Sequence, residues 1–174
     1  RLYVSDNGIL WMTDPGEGDN TISILDVAQR AKIGEISLGK FRRPHGMDVD
    51  PKTGRLAVTV ENPPGLLVVD PVARKVLKSY DIQGTMPHMV LLTPGAEWAY
   101  VSNSGTHTIA AVHLPSGKLK LIPTDARPQG GARAPDGRIL YITNSDGNSI
   151  SIIDSARQER IGAILVGKQP GRMA

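Results

Sequence analysis

The sequence predicts an all-β chain, and three observations carry that prediction. A marker proline recurs at Pro44, Pro87, Pro128 and Pro170, at intervals of 43, 41 and 42 residues. A polar residue closing an apolar run recurs at Asp26, Asp70, His113 and Asp154, at intervals of 44, 43 and 41. Between these markers lie short runs rich in Val, Ile, Thr and Leu, broken by Gly, Pro, Asn and Asp turns. A fixed period near forty residues signals a repeat architecture. One four-stranded antiparallel sheet cannot bury both of its faces alone, so several must pack face to face. Radial packing gives a β-propeller, here with about four four-stranded blades. An α/β arrangement needs amphipathic helices of about ten residues, and no such period is present.

The elements follow in order. The first unit has a turn at Ser5-Asp6-Asn7-Gly8, then expected strands at residues 9–14 and Thr21–Asp26. The second turns at Asp50-Pro51-Lys52-Thr53-Gly54 and has strands at 56–61 and 66–70. The third turns at Thr93-Pro94-Gly95-Ala96, with strands at Trp98–Asn103 and Thr108–His113. The fourth is the clearest. Pro135-Asp136-Gly137 precedes Ile139–Asn144, Ser145-Asp146-Gly147-Asn148 precedes Ser149–Asp154, and a last strand runs over 160–166. Continuously apolar runs such as 66–69 fit strands covered on both faces. The expected blades are 1–43, 44–86, 87–127 and 128–169, with a further one starting at 170–174. The chain therefore reads as a fragment, cut at both ends, of a propeller of about seven blades; a closed ring of four is the alternative. The open end of such a fragment would leave it marginally stable or self-associating.

Composition narrows the function classes. The chain has 174 residues and a formal net charge of +3, with Lys and Arg scattered, so no basic stripe suits nucleic acid. No apolar run of eighteen residues is present to span a membrane. There is no Cys, which removes disulfides and thiolate metal sites and fits an oxidising, periplasmic or extracellular setting. Gly-x-Ser-x-Gly, P-loop and dinucleotide fingerprints are absent, and no cofactor is expected.

Strand order places the candidate site. In each unit the innermost strand starts at the marker proline, and the next strand returns to the same end of the channel. The positions after the prolines are His45, His88, Gln129 and Gly171. The loop-side positions are Asp14, Glu61, Asn103 and Asn144. Imidazoles and carboxylates at one opening suit ligand binding or acid–base work. Asn103 and Asn144 equally suit hydrogen bonds to backbone at the strand corner. Equivalent positions on neighbouring inner strands are expected about 7–12 Å apart, from a packing distance of about 10 Å. That spacing suits two ends of a small anionic ligand better than one metal ion. Arg133, on an innermost strand where other units carry Tyr3, Val49 and Leu92, is the expected third contact, or else reaches channel water. Asp26, Asp70 and Asp154 read as turn caps, and His107 as a solvated loop residue. The loop Pro15–Asn20, with Asp14, Glu17 and Asp19, lacks the ligand spacing of a calcium hand.

Leu140-Tyr141-Ile142-Thr143-Asn144, Ala99-Tyr100-Val101-Ser102-Asn103, the following Asn148–Asp154 and the closing Val166-Gly167-Lys168-Gln169-Pro170 resemble the YVTN β-propeller repeat. Trp11-Met12-Thr13-Asp14 and Val58-Thr59-Val60-Glu61 depart from its tetrapeptide. The residues and the resemblance together imply a non-enzymatic repeat protein whose channel mouth takes a small molecule or a protein partner. A lactonase-like or metal-dependent hydrolase propeller is one alternative. A propeller domain of a larger redox protein is another.

Overall fold

A computed structural model describes residues 1–9 and 15–173. Its strands form four antiparallel sheets, and the described residues contain no helix. The first sheet has three strands, β1 (Leu2–Asp6), β2 (Thr21–Asp26) and β3 (Ala31–Ser37). The second has β4 (Arg42–Val49), β5 (Leu56–Asn62), β6 (Pro64–Asp70) and β7 (Lys75–Tyr80). The third has β8 (Pro87–Leu92), β9 (Trp98–Asn103), β10 (Thr108–His113) and β11 (Leu119–Pro123). The fourth has β12 (Pro128–Arg133), β13 (Ile139–Asn144), β14 (Ser149–Asp154) and β15 (Glu159–Leu165). Every sheet is a meander of hairpins, as short polar turns between apolar runs dictate.

The first unit differs from its expected reading. The strand that pairs with β2 is β1, with Asp6 opposite Thr21 and Leu2 opposite Leu25. That register matches Asn144 opposite Ser149 in the fourth sheet. Tyr3-Val4-Ser5-Asp6 is thus the counterpart of Tyr141-Ile142-Thr143-Asn144, and Tyr3 stands on a second strand rather than an innermost one. The expected strand at 9–14 falls largely on residues 10–14, outside the described residues, and Ile9 belongs to no strand.

The core lies between sheets. Ile22, Ile24, Ile36 and Leu38 of the first sheet close on Val58, Val60, Leu67 and Val69 of the second. Leu66 and Ile82 close on Val90, Val101 and Ala110 of the third. Tyr100, Ile109 and Ile122 close on Leu140, Ile142 and Ile153 of the fourth. Leu56 to Val60 are all buried, because a central strand of a stacked sheet is covered on both faces.

Hydroxyls of the second strands staple one sheet to the next. Ser5 Oγ donates to the carbonyl of His45 at 2.9 Å. Thr59 Oγ1 donates to the carbonyl of His88 at 2.8 Å. Thr143 Oγ1 donates to the carbonyl of Gly171 at 2.5 Å. At the third junction Ser104 Oγ donates to Pro128 at 2.5 Å. Thr59 is fully buried and also accepts from the Gly46 amide at 2.8 Å. Thr59→Val leaves that amide and the His88 carbonyl without their partner, a loss of about 1–3 kcal/mol. Urea unfolding reads it directly; a loss below about 0.5 kcal/mol would remove the staple from the account.

The turn caps have the expected form. Asp26 Oδ1 accepts from the amide of Gln29, Asp70 Oδ1 from Val72 and Ala73, and Asp154 Oδ1 from Ala156 and Arg157. These amide bonds, from Ala73 and Arg157 above all, hold the Asp70 and Asp154 carboxyls below the usual carboxylate range. His113 takes the same place with a ring instead, Nδ1 meeting Ser116 Oγ at 2.7 Å and Nε2 meeting Glu97 at 3.1 Å.

Candidate functional site

The inner strands β4, β8 and β12 lie side by side, and each carries one irregularity at its start. The register shifts between Pro44 and Met47, between Pro87 and Val90, and between Pro128 and Gly131. A bulge takes residues out of the ladder and re-aims their side chains. The residues taken out are those that follow the prolines: His45, His88 and Gln129. The residue before each proline is left-handed, with φ of 54° at Arg43, 51° at Met86, 58° at Arg127 and 52° at Gln169. Non-glycine residues occupy that region sparingly. Its recurrence at every junction shows that it is the bend by which the chain enters an inner strand.

The bulges bring His45 and His88 into contact. Their ring centroids are 4.2 Å apart, with the planes tilted by 42°. This replaces the expected separation of about 7–12 Å, because strands β4 and β8 approach closely here: a Cβ on Gly46 would stand 2.4 Å from the His88 carbonyl oxygen. His45 Nδ1 meets Glu61 Oε1 at 3.0 Å. Glu61 Oε2 lies 3.8 Å from a guanidinium nitrogen of Arg43. Glu61 reaches His45 from one residue past the position of Asn103 and Asn144: Val60 pairs with Pro44 as Asn103 pairs with Pro87.

His88 is the more unusual of the two rings. Burial pulls its pKa down to about 4, and the neighbouring His45 and Arg172 charges act in the same direction. The Gln129 backbone, accepting from the ring, and the Glu61 carboxylate oppose this without overcoming it. Its Nδ1 is buried without a hydrogen-bond partner. A neutral imidazole with one buried nitrogen left unsatisfied offers a hydrogen-bonding group that the protein itself does not use.

Gln129 therefore belongs to the same corner of the molecule through its backbone. Asp14 lies outside the described residues. Arg133 is elsewhere. It ends β12, five residues beyond Pro128, or about 16 Å along an extended strand. There its guanidinium meets Asp48 Oδ2 at 3.2 Å and the Leu92 carbonyl at 2.8 Å, while Asp48 Oδ2 also accepts from the Leu92 amide at 2.8 Å. Arg133 ties three inner strands together at the end opposite the histidines, so it is not the third contact. The cation that lies near His88 is Arg172, in the segment that Thr143 fastens beside β12. Its place two residues after the fourth marker proline was the available signal for it.

Other expectations are adjusted by the geometry. Asn103 Nδ2 donates to Thr108 Oγ1 at 3.2 Å, and Asn144 Nδ2 to Ser149 and Ser151 hydroxyls at 3.1 and 2.9 Å. These are bonds to side chains of the next strand rather than to backbone. His107 Nδ1 accepts from the Arg127 amide at 3.0 Å, so it anchors the bend before Pro128 instead of being merely solvated. In the loop at 15–20, Glu17 pairs with Arg42 at 3.2 Å and Asp19 Oδ1 accepts from Asn20 at 2.6 Å. Arg43 reaches the Gly16 carbonyl, so this loop lies against the histidine end. No group of three or more His, Cys, Asp or Glu suited to a metal ion occurs among the described residues.

No family model matches the chain. No curated protein matches it. Among solved structures it is similar to hydrazine synthase of Kuenenia stuttgartiensis, with a TM-score of 0.70 and 24% sequence identity. The match covers 74% of this chain and 38% of that one. The chain thus spans well under half the length of that protein, and the likeness concerns the fold. Together with the four stacked meanders, it defines an all-β protein of β-propeller-like architecture. No helix among the described residues is long and apolar enough to cross a membrane.

Proposed function

We propose that the chain is part of a non-enzymatic propeller of the YVTN-repeat kind, which presents the end of its channel carrying His45, His88 and Glu61 to a small ligand or protein partner. The observation that carries this reading is the ring contact of His45 and His88, with the buried Nδ1 of His88 unsatisfied. A buried ring nitrogen without a partner costs about 1–3 kcal/mol. Purely structural positions of the repeat do not need it: Gln129 and Gly171 occupy the equivalent places without an imidazole. A ligand that hydrogen-bonds to this nitrogen recovers that cost. Glu61 fixes the orientation of the His45 ring, and Arg172 favours a ligand that also carries negative charge.

Titration calorimetry with a panel of small hydroxy- and amino-carboxylates, and separately with Zn²⁺, tests the reading on the purified chain. Binding by the wild type that falls at least tenfold in a His45→Ala/His88→Ala double variant is the expected result. Equal binding by both proteins would leave the two histidines without this role.

A further inference from the structure

The second sheet lacks a tyrosine that the other three possess. Tyr3 pairs with Ile24, Tyr100 with Ala111 and Tyr141 with Ile152. The same register in the second sheet pairs Ala57 with Val68. Tyr100 shows what that ring does when present. It is 1% exposed, wedged between the third and fourth sheets, and its hydroxyl donates to the Ser155 carbonyl at 2.7 Å. Between the second and third sheets the matching carbonyl is that of Leu114, one residue past His113 as Ser155 is one past Asp154. It is served instead by Tyr80 from the outer strand β7, at 2.5 Å. The wedge that a tyrosine ring fills next door is open here.

The opening is a cleft of about 370 Å³ with Leu56, Ala57 and Leu92 at its floor; all three are buried. An apolar cavity of about 150 Å³ accommodates a benzene ring, so this cleft has room for a larger flat ring. Its rim is charged. Arg55 and Lys78 border it, and neither has an ion-pair partner among the described residues. Lys78 Nζ makes only long contacts, 3.4 and 3.5 Å, to the Leu114 and Pro115 carbonyls. The one carboxylate in the lining, Asp50, is occupied by the Lys52 amide at 3.0 Å and the Thr53 hydroxyl at 2.5 Å. An apolar slot shaped by a missing aromatic ring, edged by two cations that hold no ion pair among the described residues, matches one ligand chemistry.

We propose that this cleft binds an aryl carboxylate, with the ring in the place of the absent tyrosine and the carboxylate on Arg55 and Lys78. The site is separate from the histidine end of the channel and does not depend on it.

The probe is 2-naphthoate, with 2-naphthylmethanol as its uncharged counterpart, titrated into the chain by NMR. For a ligand of this size a dissociation constant on the order of 1 mM or tighter is expected, with shifts at the Ala57 methyl and the Tyr80 ring. Ala57→Tyr gives the second sheet the residue of its neighbours and should weaken binding at least tenfold. Leu77→Phe, which fills the cleft from β7, does the same if Ala57→Tyr fails to fold. Lys78→Met should weaken 2-naphthoate about fivefold while leaving 2-naphthylmethanol unchanged. The His45→Ala/His88→Ala variant should bind 2-naphthoate as the wild type does, so failure here and failure at the channel end are read separately. Undetectable binding at 10 mM probe (about ten times the expected constant), or binding that a folded cleft-filling variant leaves intact, would overturn the proposal.

Discussion

Lowering the pH from 6.5 to about 4 should destabilise the chain by about 3 kcal/mol, and His88→Gln should remove most of that loss. Folding lowers the His88 pKa from 6.5 to about 4. Above 6.5 the ring is neutral in both states and the group contributes nothing to pH dependence. Between 6.5 and 4 the unfolded chain takes up a proton that the folded chain refuses, so stability falls as pH falls. At 1.36 kcal/mol per pH unit the interval corresponds to about 3 kcal/mol. Asp50, Asp125, Asp70 and Asp154 act in a lower window. Their folded pKa values lie below 3.8: Asp50 through the Thr53 hydroxyl first, Asp125 through the Ser149 hydroxyl and Arg160, and the other two through backbone amides. Their contribution is full above the ordinary carboxylate range and is lost only as pH drops through those depressed values. Urea midpoints measured from pH 7 to pH 3.5 separate the two windows. A wild type and a His88→Gln variant with parallel profiles between pH 6.5 and 4 would contradict the burial of His88.

Gly46→Ala should cost about 1–3 kcal/mol and abolish the channel-end site with it. A Cβ on Gly46 would stand 2.4 Å from the His88 carbonyl oxygen and 2.7 Å from the Met89 Cα. Both are backbone atoms of the neighbouring inner strand, so neither can rotate aside. Strands β4 and β8 must separate, which pulls His45 from His88 and strains the Thr59 staple at the same point. Gly167→Ala is the matched control, since its Cβ meets nothing within 4 Å and should change stability by less than about 0.5 kcal/mol. A Gly46→Ala protein as stable as this control would mean that the inner strands do not approach so closely.

The fold was legible because turn chemistry and apolar runs agree at every repeat. Thr21–Asp26, Trp98–Asn103, Thr108–His113, Ile139–Asn144 and Ser149–Asp154 are strands with those same bounds. In the first unit Tyr3-Val4-Ser5-Asp6 carries the counterpart of the repeat motif, which only its cross-strand pairing with β2 reveals; Trp11-Met12-Thr13-Asp14 lies outside the described residues. At the candidate site, the proximity of His45 and His88 followed from equivalent positions on adjacent units, whereas Glu61 stands one residue past the position that Asn103 and Asn144 hold. The separation of the two rings did not follow, because a general packing distance says nothing of how closely β4 and β8 approach at Gly46. Arg133 illustrates the opposite error: its strand was right, but its place at the strand's end set it at the other end of the inner strands from the histidines. The cleft beside Ala57 was hidden because a missing side chain leaves no mark in a sequence until the register shows which residue it replaces.

The ¹⁵N imidazole spectrum of His45 and His88, followed while the hydroxy- and amino-carboxylates are added at pH 7, tests the channel-end site most directly. In the free protein the His88 ring should resonate as a neutral imidazole whose Nδ1 is not hydrogen-bonded. As a ligand saturates, the Nδ1 signal should move as that nitrogen gains a hydrogen bond. Signals of both rings that stay fixed through the whole panel would contradict a binding role for this end of the channel.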